Sequence, residues 1–393
     1  MQEALRKPVH IKIDDQWYDA TGYALAHPGG ARFIRFFHGR DATDVFYALH
    51  SYGPNGATTA ADRLAKLRKV EAPKEERKMS EQGAATVSSF REFRQRLEAD
   101  GWFKREPLHE VRLLCQTLGL YALGTVLAAT QPLLATISIA IGMQQAGWLA
   151  HDFVHGRGRW CEAMRYFGCL TNGFSSDWWT QKHSMHHSFT NEEHKDEDVM
   201  QEPFFYLQPP SKTGRPDSPV RKWQHIYGYP LFAITFWLWR FDSLRSIKRR
   251  GDWKEAVACA LQYAWLFAVL PLPVALGSIT LGGFLCGALV SATHQSEEIM
   301  DNDPTGPTAE YVDAQFRSTR DAECNDPISK FFWGGMDVQL EHHLFPSMPR
   351  YKYHRLRPLL QSWAKAAGAG YRISPWTTII ADNWKTLRNV AKA

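Results

Sequence analysis

Two long stretches of the chain carry no charged residue, and they dominate the pattern of hydrophobic and polar positions. They cover residues 113–151 and 256–296. Each is long enough for two helices of about 20 residues, the length that crosses a hydrocarbon core roughly 30 Å thick. Pro132 lies within the first stretch, and Pro271 and Pro273 within the second, where a turn between helices is expected. The pattern predicts two transmembrane helical hairpins, although two buried hairpins in a soluble core would give the same pattern.

The segment before the first hairpin has the pattern of a small soluble domain followed by a linker. His10–Ile13 and Gln16–Asp19 resemble short strands, and short helices and turns are expected from there to about residue 67. Residues 73–88 are charged and then small and polar, which is typical of a linker. Residues 89–110 mix aromatic and charged side chains, which predicts an amphipathic helix on the membrane surface. The predicted domains are residues 1–72, a linker and interfacial helix over 73–105, and a membrane domain over 106–393.

Charged residues outside the two stretches set the expected orientation. The predicted hairpin tips carry no charge, whereas basic residues such as Arg105 and Lys254 flank the stretches. Because basic flanks remain in the cytosol, both termini and the segment between the hairpins are expected there. That segment includes the aromatic residues 226–247, where Arg240 and Asp242 favour an interfacial helix over a fifth span.

Composition changes this picture only slightly. The 393 residues are 44% hydrophobic and 22% charged, with a mean hydropathy of −0.37, which would suit a soluble protein but averages over segregated segments. We assign the net charge of +5 to topology and lipid headgroups, and we expect no nucleic-acid partner. The six cysteines are scattered without a Cys-x-x-Cys motif, which indicates a reduced, cytosolic environment.

Three histidine clusters on the expected cytosolic side carry the candidate chemistry. Within each cluster the histidines are one to four residues apart, so that most pairs share one helix face. Seven imidazoles exceed what one tetrahedral ion needs, and imidazole suits iron, zinc, copper and nickel. The clusters therefore predict two transition-metal ions, which we interpret as a di-iron, oxygen-using membrane enzyme. They are His151 with His155; His183, His186 and His187; and His342 with His343, preceded by Gln339.

The N-terminal segment has two histidines suited to a haem. His27 precedes Pro28, Gly29 and Gly30, and His50 ends a segment that begins Gly39-Arg40-Asp41-Ala42-Thr43. Two histidines on separate elements can fill both axial positions of a haem iron, which then only exchanges electrons. His10 and His38 are interpreted as ordinary surface or packing residues.

These motifs resemble two known families. The first 72 residues are similar to cytochrome b5, which implies His27 and His50 as axial ligands of haem b. Residues 106–360 resemble the membrane fatty acyl desaturases through His151-Asp-x-x-His155, His183-x-x-His186-His187 and Gln339-x-x-His342-His343. The whole chain resembles the front-end desaturases fused to cytochrome b5. That resemblance implies two non-haem irons held by the histidine clusters, with His294 as a further ligand and Gln339 as a weak ligand or water-holding residue.

The resemblance also implies a fold and an activity. The expected fold is mainly α, with an N-terminal α+β cytochrome b5-like haem domain. An all-α membrane domain would follow, with four transmembrane helices in two hairpins and a cytosolic cap around two irons. The expected enzyme, in the endoplasmic reticulum membrane, uses O2 to insert a double bond into a lipid acyl chain on the carboxyl side of an existing one. Its electrons would come ultimately from NADH through a cytochrome b5 reductase and the haem domain.

Further residues were considered for the surroundings of the irons. Phe174, Trp178, Trp179 and the aromatic residues of 231–241 could line an acyl tunnel or anchor the protein at the membrane interface. His109, His194, His225 and His354 are excluded because they do not follow the spacing of the clusters. Candidates to orient the imidazoles are Asp152, Asp196, Asp198, Glu297 and Glu341.

Other functions remain open. A sphingolipid long-chain-base desaturase would share the architecture and the Gln339 motif. A non-catalytic membrane haem protein that carries electrons would have no use for the histidine clusters, and a zinc hydrolase would not need a haem domain. The segment Gly156-Arg157-Gly158-Arg159 differs from many members of the family, which leaves the subfamily open.

Overall fold

The computed structural model describes residues 7–27, 29–50, 57–301 and 310–393, with only the backbone of residues 57–59. Its described part is mainly helical, as predicted. The N-terminal region is a small α+β unit whose antiparallel sheet has the order β1-β2-β3. Asp14 and Asp15 have positive φ in the turn between the first two strands, a conformation that Asp tolerates. The elements are β1 (His10–Ile13), β2 (Gln16–Asp19), a 3-10 turn (Ala24–Ala26), α1 (Ala31–Phe36), α2 (Thr43–Leu49), α3 (Ala57–Ala65) and β3 (Arg68–Val70).

The helix α4 (Glu81–Ala99) begins earlier than the sequence pattern predicts. Ser80 caps its first turn by accepting a hydrogen bond from the backbone N–H of Gly83 at 3.0 Å, so the second half of the predicted linker is helical. Its buried side chains include Phe90 and Leu97, which pack in one cluster with Phe345. The apolar face of α4 is therefore covered by protein and is not left free for a bilayer.

Two pairs of consecutive helices correspond to the predicted hairpins, and one helix of each pair lies at the centre of the molecule. The first consists of α5 (Pro107–Leu127) and α6 (Pro132–His155). The second consists of α13 (Trp253–Ala264), which continues as a π-helix (Trp265–Val269), and α14 (Leu272–Gln295). Only α6 and α14 of the described helices are both long and apolar enough to cross a membrane. These two helices pack against each other, and the core around them includes Ile139, Met143 and Ile279.

The remaining elements surround the ends of α6 and α14. The aromatic segment 226–247 is not one helix, because α11 contains Pro230 and passes into a 3-10 turn before α12 begins. The bounds between the hairpins are α7 (Arg159–Met164), α8 (Phe167–Asn172), α9 (Ser176–Ser188), α10 (Pro210–Thr213), a 3-10 turn (Arg221–Trp223), α11 (Gln224–Leu231), a 3-10 turn (Phe232–Ile234) and α12 (Thr235–Arg250).

The C-terminal region returns to the same end of the hairpins. Its two strands pair in parallel, with Asp321 opposite Ile373. The bounds are α15 (Tyr311–Ser318), β4 (Asp321–Glu323), α16 (Pro327–Trp333), α17 (Gln339–Leu344), a 3-10 turn (Arg350–Lys352), α18 (Tyr353–Ala367), β5 (Ile373–Pro375) and α19 (Trp376–Lys392). The short helix α17 is buried along its whole length, which fixes the third histidine cluster against the ends of α6, α9 and α14.

Candidate metal centre and haem cleft

Eight buried histidines from four helices come together as two groups. The first draws on α6, α9 and α17, and the second on α9, α14 and α17. Within each group, the candidate ligand atoms all lie within 4.8 Å of one another. Group A is His151, His155, His183, His187 and His342, and group B is His186, His294 and His343. The structure thus brings together every histidine that the sequence predicted as a metal ligand.

Helix geometry explains why α9 and α17 each serve both groups. His183 and His187 are four residues apart on α9 and share one face, so both belong to group A. His186 points about 100° away from His187 around the same helix and belongs to group B. On α17, the adjacent His342 and His343 divide in the same way.

The ring nitrogens of group A converge as they would around a metal ion. The Nε2 atom of His183 lies 2.6 Å from Nε2 of His151 and 3.0 Å from Nε2 of His187. The Nε2 atoms of His155 and His342 are buried and have no hydrogen-bond partner, although buried polar atoms are normally paired. A transition-metal ion would satisfy these nitrogens at once, so the residues fit a metal.

Gln339 lies beside group B. Its amide nitrogen, as assigned, is 3.0 Å from Nε2 of His294 and 3.4 Å from Nε2 of His343. Its amide oxygen is buried without a partner. A half-turn of the amide exchanges the two atoms, and the oxygen would then face the imidazoles of group B as a fourth candidate ligand.

Asp196, one of the five acids predicted as candidates to orient an imidazole, fixes the orientation of His186. The Nδ1 atom of His186 lies 2.8 Å from a carboxylate oxygen of Asp196. That carboxylate also accepts backbone N–H bonds from Asn191 and Asp198, each at 2.9 Å. Because Asp196 is held by the loop itself, it leaves Nε2 of His186 directed at group B.

The partners of the imidazoles that the sequence did not single out include a side-chain amide, a backbone carbonyl and a phenol, all outside the histidine motifs. The hydroxyl of Thr190 also lies 3.2 Å from Nδ1 of His343. No sequence spacing links them to the clusters. The pairs are Nδ1 of His343 with Oε1 of Gln315 at 2.8 Å, Nδ1 of His294 with the carbonyl of Ser318 at 3.0 Å, and Nδ1 of His342 with the hydroxyl of Tyr353 at 3.3 Å.

The other acidic candidates bind elsewhere. Asp152 accepts from Arg105 at 2.6 Å, Glu297 pairs with Arg320 at 2.8 Å, and Glu341 hydrogen-bonds the hydroxyl of Tyr371 at 2.8 Å. Asp198 pairs with Lys182 and remains 3.6 Å from Nδ1 of His186. Of the five predicted acids, only Asp196 is within hydrogen-bonding distance of an imidazole, because arginines, Lys182 and Tyr371 engage the others.

The surroundings favour neutral imidazoles, the form that binds metals. Burial, followed by the neighbouring imidazoles, lowers the pKa of four of them well below the ordinary value: His183, His187, His342 and His343. His186 differs. Burial opposes its charged form, but the Asp196 carboxylate outweighs this effect and raises the pKa of His186.

The N-terminal cleft places His27 and His50 opposite each other. Their ring centroids are 6.1 Å apart, and the cavity between them is lined by apolar side chains such as Val45 and Leu64. Burial lowers the pKa of both imidazoles to about 4, with Arg63 and Arg157 adding to the effect for His27 and His50, respectively. Two neutral imidazoles from separate elements in one apolar cleft fit the axial ligation of a haem. Pro28 lies outside the described residues.

An apolar cavity leads to the metal centre. Its volume is about 470 Å³, and its walls include imidazoles of both groups. Trp179 and Trp239 pack against each other in its wall, with ring centroids 4.8 Å apart. Six of the aromatic candidates for an acyl tunnel line this cavity, whereas Trp237 and Phe241 do not. The six are Phe174, Trp178, Trp179, Phe232, Phe236 and Trp239. A cavity of this kind can hold a hydrocarbon chain beside a metal centre.

Two family models match the chain. The family described as fatty acid desaturase matches residues 126–375, and the cytochrome b5-like heme/steroid binding domain matches residues 2–79. The chain is 30% identical over 405 residues to Fatty acid desaturase 3 of Bos taurus, covering 96% of this chain and 89% of the relative. It is 28% identical over 449 residues to Delta(5) fatty acid desaturase fat-4 of Caenorhabditis elegans, covering 100% and 97%. It is 29% identical over 423 residues to Acyl-lipid (9-3)-desaturase of Physcomitrium patens, covering 98% and 77%.

Proposed function

We propose that this chain, which belongs to the fatty acid desaturase family, is a front-end desaturase with its own electron-transfer domain. It would insert a cis double bond into a long-chain (poly)unsaturated acyl substrate, on the carboxyl side of an existing double bond. The observation that carries the proposal is that imidazoles of both groups face an apolar cavity. The relatives named for front-end positions, which span nearly the whole chain, support the regiochemistry.

The proposed ligands follow from the two groups and the cleft. Group A would hold one iron, and group B with Gln339 the other, while His27 and His50 would hold haem b. When bound, the irons activate O2 and the haem delivers electrons one at a time. Each double bond formed takes two hydrogens from the acyl chain, and together with one O2, two electrons and two protons these leave as two waters.

The side chains of the protein position these reactants. The aromatic walls of the cavity exclude water and hold two adjacent methylene groups beside the imidazoles. Asp196, Gln315 and Tyr353 hold the rings of three ligands in place, so that the metal positions do not depend on flexible side chains.

We further propose the arrangement in the membrane. The first hairpin, α5 with α6, and the second, α13 and its π-helix with α14, would supply four spans. The ends that carry the histidines would face the cytosol with both termini, in the endoplasmic reticulum. The domain limits remain residues 1–72, 73–105 and 106–393. An NADH-dependent cytochrome b5 reductase would supply the electrons.

Lipid analysis in yeast tests the proposal. Cells that express the chain would be fed mono- and polyunsaturated fatty acids, and their acyl chains and long-chain bases compared by mass spectrometry. We expect a new double bond between the carboxyl group and an existing double bond. It should be absent with His186→Ala and present with His194→Asn, since His194 is exposed and outside both groups.

Metal analysis separates the alternatives. The desaturase requires two non-haem irons for each haem. New double bonds only in long-chain bases would identify the substrate as a sphingolipid. A protein with haem, no non-haem iron and no lipid product would be an electron carrier, and the proposal would be wrong.

A further inference from the structure

One aromatic side chain from the segment that carries the second histidine cluster lies in the core of the N-terminal α+β unit, called here the haem-binding unit. Phe189 follows α9, two residues after His187, and its exposed fraction is 1%. Its ring lies among three phenylalanines of the haem-binding unit, with centroid distances of 6.3 Å to Phe33, 5.5 Å to Phe36 and 4.8 Å to Phe37. These distances are within the range of interacting aromatic pairs. Phe189 is therefore part of the core of the haem-binding unit as well as of the segment that carries the second histidine cluster.

The contact between Phe33 and Phe189 connects a proposed haem ligand, His27, with a proposed metal ligand, His186. In the haem cleft, the ring of His27 stacks on Phe33, with centroids 5.7 Å apart and an interplanar angle of 14°. On the metal side, the backbone N–H of Phe189 donates to the carbonyl of His186 at 3.3 Å. A continuous series of contacts and bonds thus runs from His27 through Phe33 and Phe189 to His186.

Ion pairs hold this contact in place. Arg40 of the haem-binding unit pairs with Glu192 at 3.4 Å, and both side chains are largely buried. Lys195 also pairs with Glu192, and its ammonium group lies 4.9 Å from the ring centroid of Phe189. Buried charges are retained only when they are paired, so these contacts favour one fixed docking position.

A second set of contacts keeps the haem-binding unit against α4. Arg91 donates to both carboxylate oxygens of Asp44, at 3.0 and 2.9 Å, and Arg94 donates to the backbone carbonyl of Tyr47. In addition, Arg157, two residues after His155, donates to the carbonyl of Leu49. Bidentate arginine pairs add geometric specificity.

We propose that Phe189 is the positioning residue for electron transfer inside the chain, in a permanently docked arrangement. This rests on the proposed function. In each transfer, ferrous haem is oxidised to ferric haem and one electron reduces the metal centre by the route His27–Phe33–Phe189–His186. The external reductase then reduces the haem again, and two transfers serve each double bond. Fixed docking replaces a diffusional encounter by an intramolecular step.

The test is the oxidation rate of pre-reduced haem in the purified, haem- and iron-containing protein, followed by absorbance after mixing with acyl substrate and O2. We expect Phe189→Leu to slow this oxidation about tenfold or more, with unchanged haem and iron contents and unchanged haem reduction by the reductase. During turnover, a larger fraction of its haem should remain ferrous. Phe189→Tyr, which keeps the ring, should retain the wild-type rate.

Two further variants make the result decisive. Phe153→Leu is the matched control, because Phe153 is buried, lies two residues before His155 and packs on Trp160 and Phe167 instead of on the haem-binding unit. Phe33→Leu tests the route from the haem side if Phe189→Leu loses iron. Oxidation as fast in Phe189→Leu and Phe33→Leu as in Phe153→Leu would overturn the route. In that case wild-type product formation would leave the proposed function intact, whereas a wild type without product would contradict the proposed function itself.

Hydrogen exchange tests the docking of the haem-binding unit independently of electron transfer. Hydrogen exchange should be slow at residues 31–37 and 189–195 in the haem-containing protein without substrate. It should become faster at both segments in Glu192→Gln, since the partner of Arg40 and Lys195 loses its charge. Fast exchange at these segments in the wild type would show that the two parts separate, and would overturn fixed docking.

Discussion

The imidazoles of His187 and His343 are stacked, with ring centroids 4.2 Å apart and an interplanar angle of 20°. His187 belongs to group A and His343 to group B, so the two proposed iron sites are in direct contact through these two rings. His187 is also adjacent in sequence to His186, a member of group B. Loss of metal from one site should therefore affect metal binding at the other. Only a variant of a residue that contacts a single imidazole can test one site by itself.

Asp196 is such a residue, since its side chain contacts His186 and no other imidazole of the two groups. Asp196→Asn removes the charge that raises the pKa of His186 and weakens the hold on its ring. We expect affinity for one iron to fall by about 10- to 100-fold, the usual effect of losing a partner of a metal ligand. Non-haem iron should approach one per chain while haem is unchanged. Glu193→Gln is the control in the same loop, because Glu193 pairs with Arg215 and belongs to neither group. Equal iron contents in the two variants would contradict the role of Asp196.

Gln339 offers a second test that is specific to group B. If its oxygen is a ligand, Gln339→Leu should lower the affinity for the second iron, and Gln339→His should retain it because imidazole is a suitable ligand. Iron titration of the purified variants, with haem content as the internal reference, measures both. Full iron in Gln339→Leu together with lost activity would instead indicate that Gln339 holds water or substrate.

Trp239 should control which acyl chains the cavity accepts. Its ring lines the cavity beside Trp179, so Trp239→Leu enlarges the space near the metal centre. We expect kcat/KM to fall for the preferred substrate by about tenfold and the preference to move to longer or bulkier chains. Trp237→Leu is the matched control on the same helix, because Trp237 bonds Thr280 at 3.1 Å and is absent from the cavity walls. A parallel loss in both variants would indicate damage to α12 instead of a change in the cavity.

The sequence was sufficient to predict that these histidines come together, but not how they divide into two groups. Spacings of three and four residues indicate a shared helix face, so the clusters were visible. The division into groups A and B depends on the rotation of α9 and α17 relative to α6 and α14, which local patterns do not encode. Gln315 and Tyr353 could not be predicted for the same reason, since only tertiary packing brings them to the rings.

The fold, too, could be predicted only where a local sequence pattern determines it. The long apolar helices α6 and α14 and the first two strands follow from local hydrophobicity, and they were predicted. The third strand is only Arg68–Val70, too short to give a pattern. The sequence predicted α4 as a helix on the membrane surface because its apolar face is as suited to a bilayer as to protein. The docking through Phe189 joins distant segments, and no sequence feature marked it.

The docked arrangement should depend on pH through Glu310. Glu310 precedes α15, close to Arg40, Asp41, Asp44 and Arg91, and burial, the largest effect, raises its pKa from 4.5 to about 7. The folded chain therefore binds more protons than the unfolded chain between pH 4.5 and about 7. The contribution of the protonated carboxyl to stability is complete below pH 4.5 and is lost as the pH rises through 7.

Hydrogen exchange at residues 31–37 should accordingly become faster from pH 6 to pH 8. Glu310→Gln, which is neutral at every pH, should reduce this change, whereas Glu81→Gln, at an exposed position on α4, should leave it as in the wild type. The role of Glu310 would be refuted by an undiminished change in Glu310→Gln, after correction for the intrinsic pH dependence of exchange.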